Sequence, residues 1–330
     1  MTNDFESHLP TLRNKYGVTI RRSDLIAFCE THNLEVPKLP CISGGRNPVY
    51  DLADDTEEVV DEPTTPVELT DEEIVADIAL RFGALDDMGY GVVSGHYRAL
   101  IVSGNPGIGK TYTLEKILSG AQGLGGFTFK TVHGFTRATG LYQLLYENSA
   151  PGSVLLLDDC DSVFGDETSL NILKAALDTT KTRTISWYSE HNLKDQDGNS
   201  LPKEFEYNGA IIFVTNLDFD RAVRSSGRLG PHLEALISRS YYLDLNMRSE
   251  RYLMSRLAHV VRNSEMLASL NMTPEQGEQI LTYIAEHKKQ LREVSLRTVV
   301  KLANIIRASN STEEFERVAR LACCRQGGAV

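Results

Sequence analysis

Nowhere in the 330 residues is there a run of 18 or more apolar positions, so a membrane-spanning helix is not expected. Cysteine is scarce. The five, Cys29, Cys41, Cys160, Cys323 and Cys324, form no C-x-x-C pair and show no metal-ligand spacing, which argues against a disulfide framework or a zinc site. The opening "MTNDFESHLPTLRNKYG" is polar and lacks the apolar stretch of a signal peptide, so a reduced, cytoplasmic protein is expected. Positive charge is also in deficit, with 34 Lys and Arg against 45 Asp and Glu. That deficit is local: residues 51–73 carry eleven acids and no Lys or Arg, and the net charge without them is near zero. The overall acidity therefore says little about the face a partner meets. With Pro63 and Pro66 and low hydrophobicity, the segment reads as an acidic linker. The alternative is an acidic lid competing with nucleic acid for a basic surface.

What is present suits a core large enough for two or three domains, since 41% of residues are hydrophobic and 24% charged. Residues 1–50 form a small N-terminal unit. In "VTIRRSDLIAFCETHNL", Leu25, Ile26, Phe28 and Cys29 fall on one side of a helix, with Ser23 as its N-cap. "VPKLPCISGGRNPVYDL" then reads as turns and a short strand pair. Arg21 and Arg22 could touch phosphates or form an ordinary solvated helix start; the unit is read as an adaptor for a protein partner. After the linker come a helical pattern and the apolar segments "YRALIVSG", "FTFKTVHG", "GSVLLLDDC", "GAIIFVTN" and "YYLDL". Apolar strands separated by helical stretches imply a parallel sheet covered on both faces, with ligands at the strand ends. The expected α/β nucleotide-binding domain spans 74–246, and a helical subdomain fills 247–330.

"GNPGIGKT" matches G-x-x-x-x-G-K-[ST] from Gly104 to Thr111. Such a loop wraps backbone N–H groups round phosphates at a helix N-terminus. Gly104, Asn105, Pro106, Gly107, Ile108, Gly109, Lys110, Thr111 and Tyr112 are the candidate nucleotide-binding residues. Lys110 would reach the β- and γ-phosphates, and Thr111 would ligate Mg²⁺. "VLLLDDC" adds Asp158 as the second metal residue and Asp159 as the base beside the attacking water.

From about residue 70 to 310 the chain resembles the AAA+ ATPase superfamily of P-loop NTPases. The glycine loop resembles that family's Walker A element. "LLLDDCDSVF" resembles Walker B, usually closed by D-E-x-D. Asp159 stands where the family carries a catalytic glutamate and is shorter by one methylene, about 1.5 Å. The resemblance implies a P-loop sheet sandwiched by helices, a helical lid over the nucleotide, and ATP and Mg²⁺ as ligands. It further implies that Asn216 in "IIFVTN" is the sensor-1 residue and that Arg239 in "LISRSYY" is the arginine finger reaching a neighbouring subunit. Arg297 in "SLRTVV" would be the sensor-2 arginine, and Arg228 in "SSGRLG" is the rival finger. The spacing "DDxDSxF…TISW" is also similar to ATPases encoded by bacteriophages.

Two segments bear on the partner. Phe135 in "HGFTRATG", with Arg137 beside it, is either the aromatic of a pore loop or a core residue at a loop end. Residues 181–209 read as a hairpin before the sensor-1 strand. Its Lys181, Arg183, Trp187 and Tyr188 would stack bases and touch phosphates if the partner were nucleic acid; a structural hairpin covering the sheet edge is the alternative. The expected function is therefore an oligomeric ATPase, in a ring of identical subunits, that remodels or moves a protein partner. The other readings are a DNA- or RNA-dependent ATPase, such as a helicase loader or replication accessory factor, and a slow ATP-dependent assembly switch.

Overall fold

A computed structural model of the chain describes residues 8, 11–12, 19–32, 34, 36, 41–43, 49–51 and 69–325, apart from 124–125, 190–192, 196–197, 226 and 248. Most of the expected acidic linker, residues 52–68, lies outside the described residues. The chain divides into two compact units, Met1–Glu68 and Leu69–Val330.

In the first unit, β1 (Thr19–Arg21), β2 (Cys41–Ser43) and β3 (Val49–Asp51) pair antiparallel in the order β1-β3-β2. The helix α1 (Arg22–Thr31) buries Leu25, Phe28 and Cys29 together with Ile20 and Leu12. Ser23 is not the N-cap. β1 runs straight into α1, so Arg21 occupies the cap position without a side-chain hydrogen bond, and Ser23 lies inside the first turn.

The second unit opens with α2 (Asp71–Val93). Thr70 and Glu73 close a reciprocal capping box there, each side chain accepting from the other's backbone N–H. The sheet follows as β4 (Ala99–Ser103), β5 (Thr128–His133), β6 (Ser153–Asp158), β9 (Ala210–Thr215) and β10 (Tyr241–Asp244), all parallel, in the order β10-β4-β9-β6-β5. Its three central strands, β4, β9 and β6, are buried along almost their whole length. Alternate residues serve two cores. Ile101, Leu155, Leu157, Ile211 and Phe213 face α4 (Ala138–Glu147), α5 (Glu167–Ala176) and α7 (Gly230–Ile237). Leu100, Val102, Leu156, Ile212 and Val214 face α2 and α3 (Lys110–Ala121). α6 (Phe219–Ser225) packs with the first group through Phe219. This is a P-loop-type α/β layering, with the chemistry-bearing residues at the strand C-termini.

After β10 the described chain is helical: α8 (Glu250–Asn263), α9 (Met266–Ser269), α10 (Pro274–His287), α11 (Leu296–Ala308) and α12 (Thr312–Cys323) surround their own core of Leu257, Ile280, Ile284, Leu302 and Phe315. No helix among the described residues is long and apolar enough to cross a membrane.

Between α5 and β9 the expected hairpin is present. β7 (Thr184–Ser186) pairs antiparallel with β8 (Glu204–Glu206). Of the two cations expected to touch phosphates, Lys181 and Arg183, the second is not available to one. Arg183 is 4% exposed, donates to Ala176 O and Gly209 O at 2.9 Å each, and lies 5.0 Å from the Tyr207 ring centre. Ala176 closes α5, where a carbonyl has no intrahelical donor, and the guanidinium serves it and the Gly209 carbonyl together. Lys181 and Tyr188 stay exposed, while Trp187 packs partly against the core beside Tyr142.

Candidate functional site

The site begins where β4 ends. Residues 104–109 turn from the strand into α3, and two glycines take conformations that suit no other residue well: Gly107 at φ +70° and Gly109 at φ +102°. A Cβ on Gly107 would also lie 2.8 Å from Ser295 Cβ, so the loop is packed closely from the lid side. Gly109 is the N-cap of α3 and offers no side-chain acceptor. The N–H groups of the first turn, Lys110, Thr111 and Tyr112 among them, are thus left for an anion.

Lys110 is 6% exposed. Its Nζ donates to Gly104 O at 2.6 Å, Asn105 O at 2.9 Å and Asn216 Oδ1 at 2.9 Å. Burial pushes its pKa down to about 8, Asp159 and Asp158 pull it up, and Arg297 adds to the depression. The cation therefore waits in a partly desolvated place with carboxylates nearby but no direct ion pair. Asn105 Oδ1 accepts from Met247 N, tying the loop to the chain beyond β10. Ile108 is fully buried, Tyr112 is largely exposed, and Tyr112 and Pro106 both line the cleft.

Facing Lys110 is the end of β6. Asp158 accepts from Thr111 Oγ1 at 3.0 Å and contacts His133 Nδ1 at 3.1 Å. Parallel register sets His133, the last residue of β5, directly beside Asp158. Asp159 follows at φ +52°, a left-handed backbone that Asp tolerates better than most residues. There its Oδ1 accepts from Asn216 Nδ2 at 2.9 Å. Asp161 is buried enough that desolvation raises its pKa, and Thr215 Oγ1 donates to it. Such a cluster can hold a divalent cation between Thr111 and Asp158 and set a carboxylate beside an attacking water.

The cleft encloses about 490 Å³ between the strand ends and the helical region. Its far wall is the lid: Arg256, Val260 and Asn263 of α8, Leu270 after α9, and Leu296 and Arg297 of α11. Lys110, Thr111, Asp158, Asp159, Asn216 and Arg297 are thus brought together. Arg239 is not among them. It sits at the end of α7 with its Nη1 donating to Ala235 O at 2.9 Å. Arg228 is largely exposed and pairs with Glu167 at 3.2 Å. Sequence reasoning missed His133 and Arg256. His133 could have been found by aligning the strand ends, since the residue closing β5 must neighbour the residue closing β6. Arg256 belongs to no motif.

The loop after β5 leaves Phe135 73% exposed, with the Arg137 guanidinium 6.0 Å from its ring centre. Of the two readings of Phe135, the core residue is removed.

The chain is similar to several known proteins. The model of the AAA family, "ATPase family associated with various cellular activities", matches residues 100–235. The "uncharacterized 36.7 kDa protein in nrdC-mobD intergenic region" of Enterobacteria phage T4 is 39% identical over 245 residues, 74% of each chain. Two solved structures are also similar. A DNA replication initiation factor has 15% identity and a TM-score of 0.37, covering 73% of this chain. NtrX from Brucella abortus has 14% identity and a TM-score of 0.41, covering 71%. The chain spans only 64% and 52% of those two structures.

Proposed function

This chain belongs to the AAA family of ATPases, and from that premise we propose that it binds ATP with Mg²⁺ in the cleft, hydrolyses it, and works as a homo-oligomer that remodels or moves a macromolecular partner. The phage relative supports a bacteriophage origin. The observation that carries the reading is the single hydrogen-bonded chain Lys110–Asn216–Asp159, set beside the Thr111–Asp158 pair at the open first turn of α3. The uncapped N–H groups and the glycine turns fit a phosphate chain. Two oxygen ligands from the protein fit Mg²⁺, which usually keeps several waters.

In this reading the loop N–H groups and Lys110 bind the phosphates. Thr111 and Asp158 hold the metal, whose chemistry is to neutralise charge on the phosphate oxygens. Asp159 accepts the proton of the attacking water, and Asn216 orients Asp159. Arg297 reaches over the nucleotide from α11. Arg239, remote from its own cleft, serves the site of an adjacent subunit. Phe135 and Arg137 face the partner, and residues 1–50 recognise a protein. Exposed Lys181 and Tyr188 on the hairpin favour a nucleic-acid-dependent ATPase as the second reading, weakened by the withdrawal of Arg183.

The test is ATP turnover with and without single-stranded DNA, alongside native mass with and without ATP. Turnover that needs Lys110, with an ATP-dependent rise in mass, is the expected result. Wild-type affinity and turnover in Lys110→Ala would remove the assignment. Strong stimulation by DNA would favour the second reading. Turnover indistinguishable from background would leave a slow assembly switch.

A further inference from the structure

Arg256 lies on α8, outside every motif described above, and is 8% exposed. Its guanidinium carbon is 3.3 Å from the centre of the Phe82 ring, and its Nε donates to Ile108 O at 3.3 Å. Burial pushes its pKa down to about 10, against the pull of Asp86. A guanidinium has five N–H donors, and burying its charge is costly unless those donors are used. The loop bond takes one. As a stability device the arrangement is poor, which directs attention to what the bond holds.

Ile108 sits inside the phosphate loop. A loop whose N–H groups turn inward to an anion presents carbonyls on its outer side. Two successive carbonyls there are held by two different lid helices. Gly107 O accepts from Leu296 N at 2.8 Å, a donor that the first turn of α11 leaves without an intrahelical partner. Ile108 O accepts from Arg256 of α8. A Cβ on Gly109 would lie 3.5 Å from Arg256 Nη2, so the guanidinium is against the loop itself. Val260 and Asn263, one and two turns further along α8, line the cleft.

We propose that Arg256 is a positioning residue that clasps the helical lid to the phosphate loop and holds the loop N–H groups in their anion-binding arrangement. The inference rests on the nucleotide reading above. It makes the two ends of the ligand interdependent. Whatever a nucleoside does on α8 is passed through Arg256 to the loop that grips the phosphates, and the coupling runs equally in reverse.

Inorganic tripolyphosphate is the discriminating probe, because it occupies the loop and carries no base or ribose. Calorimetric titration of the full chain, with Mg²⁺ present, would compare ATP, ADP and tripolyphosphate in the wild type, Arg256→Met, Arg256→Lys and Phe82→Leu. Arg256→Met is expected to weaken all three by about tenfold, the loss of one hydrogen bond from a charged donor. Arg256→Lys keeps the charge, but a lone ammonium cannot both lie flat on Phe82 and donate in the guanidinium's plane. It should therefore weaken all three by about threefold or more, and it carries the test if the Met variant fails to fold. Phe82→Leu, which removes the platform, should weaken all three to a smaller extent.

Weaker ATP and ADP with unchanged tripolyphosphate would mean that Arg256 touches the nucleoside directly, overturning the clasp. A lower melting temperature with all three affinities unchanged would make the residue merely structural. Full rescue by Lys would reduce its role to charge. Each of these overturns the clasp alone. A wild type that binds none of the three overturns the nucleotide reading and the clasp with it.

Discussion

Asn216 Nδ2 donates to Asp159 Oδ1 at 2.9 Å, joining the end of β9 to the turn that leaves β6. The same side chain accepts from Lys110 Nζ through its oxygen. One amide therefore fixes both the Lys110 ammonium and the carboxylate that faces it. Its orientation is set, because only the Nδ2 end can donate to a carboxylate and only the Oδ1 end can accept from an ammonium.

The first prediction follows from that geometry. Asp159→Asn keeps the volume and tolerates the left-handed backbone at φ +52°, so the melting temperature should hardly change. ATP should remain bound while hydrolysis falls at least about tenfold, because an amide cannot accept the proton of water. Asp158→Asn should instead weaken binding that depends on Mg²⁺. Equal and mild effects of the two substitutions on binding and turnover would mean that the roles are misassigned.

A second prediction concerns pH. In the folded protein Lys110 has a pKa of about 8, below its ordinary value of 10.5. Between those two values the unfolded chain binds more protons than the folded one. The unliganded protein should therefore gain stability from this group as pH rises from about 8 towards 10.5, and carry the whole desolvation cost below 8. Binding runs the other way. Phosphate favours the charged amine, so ATP affinity should fall by up to about tenfold per pH unit above 8, with proton uptake on binding. Titration at pH 8.5 in two buffers of different ionisation enthalpy measures the uptake. No uptake would mean that Lys110 is already fully charged in the empty site.

How far the sequence could be read depended on whether a signal was local. β4, β6 and β9 are buried on both faces, so they appear as continuous apolar runs, and the loop from Gly104 to Thr111 is a spacing that needs no partner to be recognised. Asp158 is legible from its place at a strand end, whereas Asn216 is named only through the resemblance to the AAA+ ATPases. For Arg183 the sequence leaves two readings open, because an arginine looks the same whether it faces water or a carbonyl; the structure selects the structural hairpin. The burial of Arg183 depends on β7 closing against β8, some twenty residues away. Arg256 was invisible for a related reason: its partners Phe82 and Ile108 lie far upstream, and no periodicity connects them. Ser23 failed as a cap because no loop separates β1 from α1.

The third prediction concerns Arg183. Replacing it with alanine leaves the carbonyls of Ala176 and Gly209 without their donor and removes the group over Tyr207. The expected cost is about 3–6 kcal/mol, twice the contribution of one hydrogen bond from a charged donor. Chemical denaturation should show it, while any affinity of the folded protein for single-stranded DNA should be unaffected. A stable Arg183→Ala protein that had lost DNA binding would return this residue to the partner surface.

The last prediction is that activity requires neighbouring subunits, each site being completed by Arg239 of the next copy. Arg239 is held at the end of α7 by its bond to Ala235 O, and it does not line its own cleft. A guanidinium can neutralise charge over several γ-phosphate oxygens, which one ammonium cannot do at every oxygen. Supplied from outside, such an arginine is worth roughly 10³ to 10⁵ in rate, and it ties hydrolysis to assembly. Specific activity should therefore rise with protein concentration. Arg239→Ala and Lys110→Ala should each be inactive alone. Mixed oligomers should recover part of the activity, because some interfaces then pair an intact phosphate loop with an intact arginine. If Arg228 were the true finger, Arg239→Ala would remain active and Arg228→Ala would show the loss and the rescue instead. Full turnover in a dilute monomer, or no recovery in oligomers shown by mass to be mixed, would end the case for a site shared between subunits.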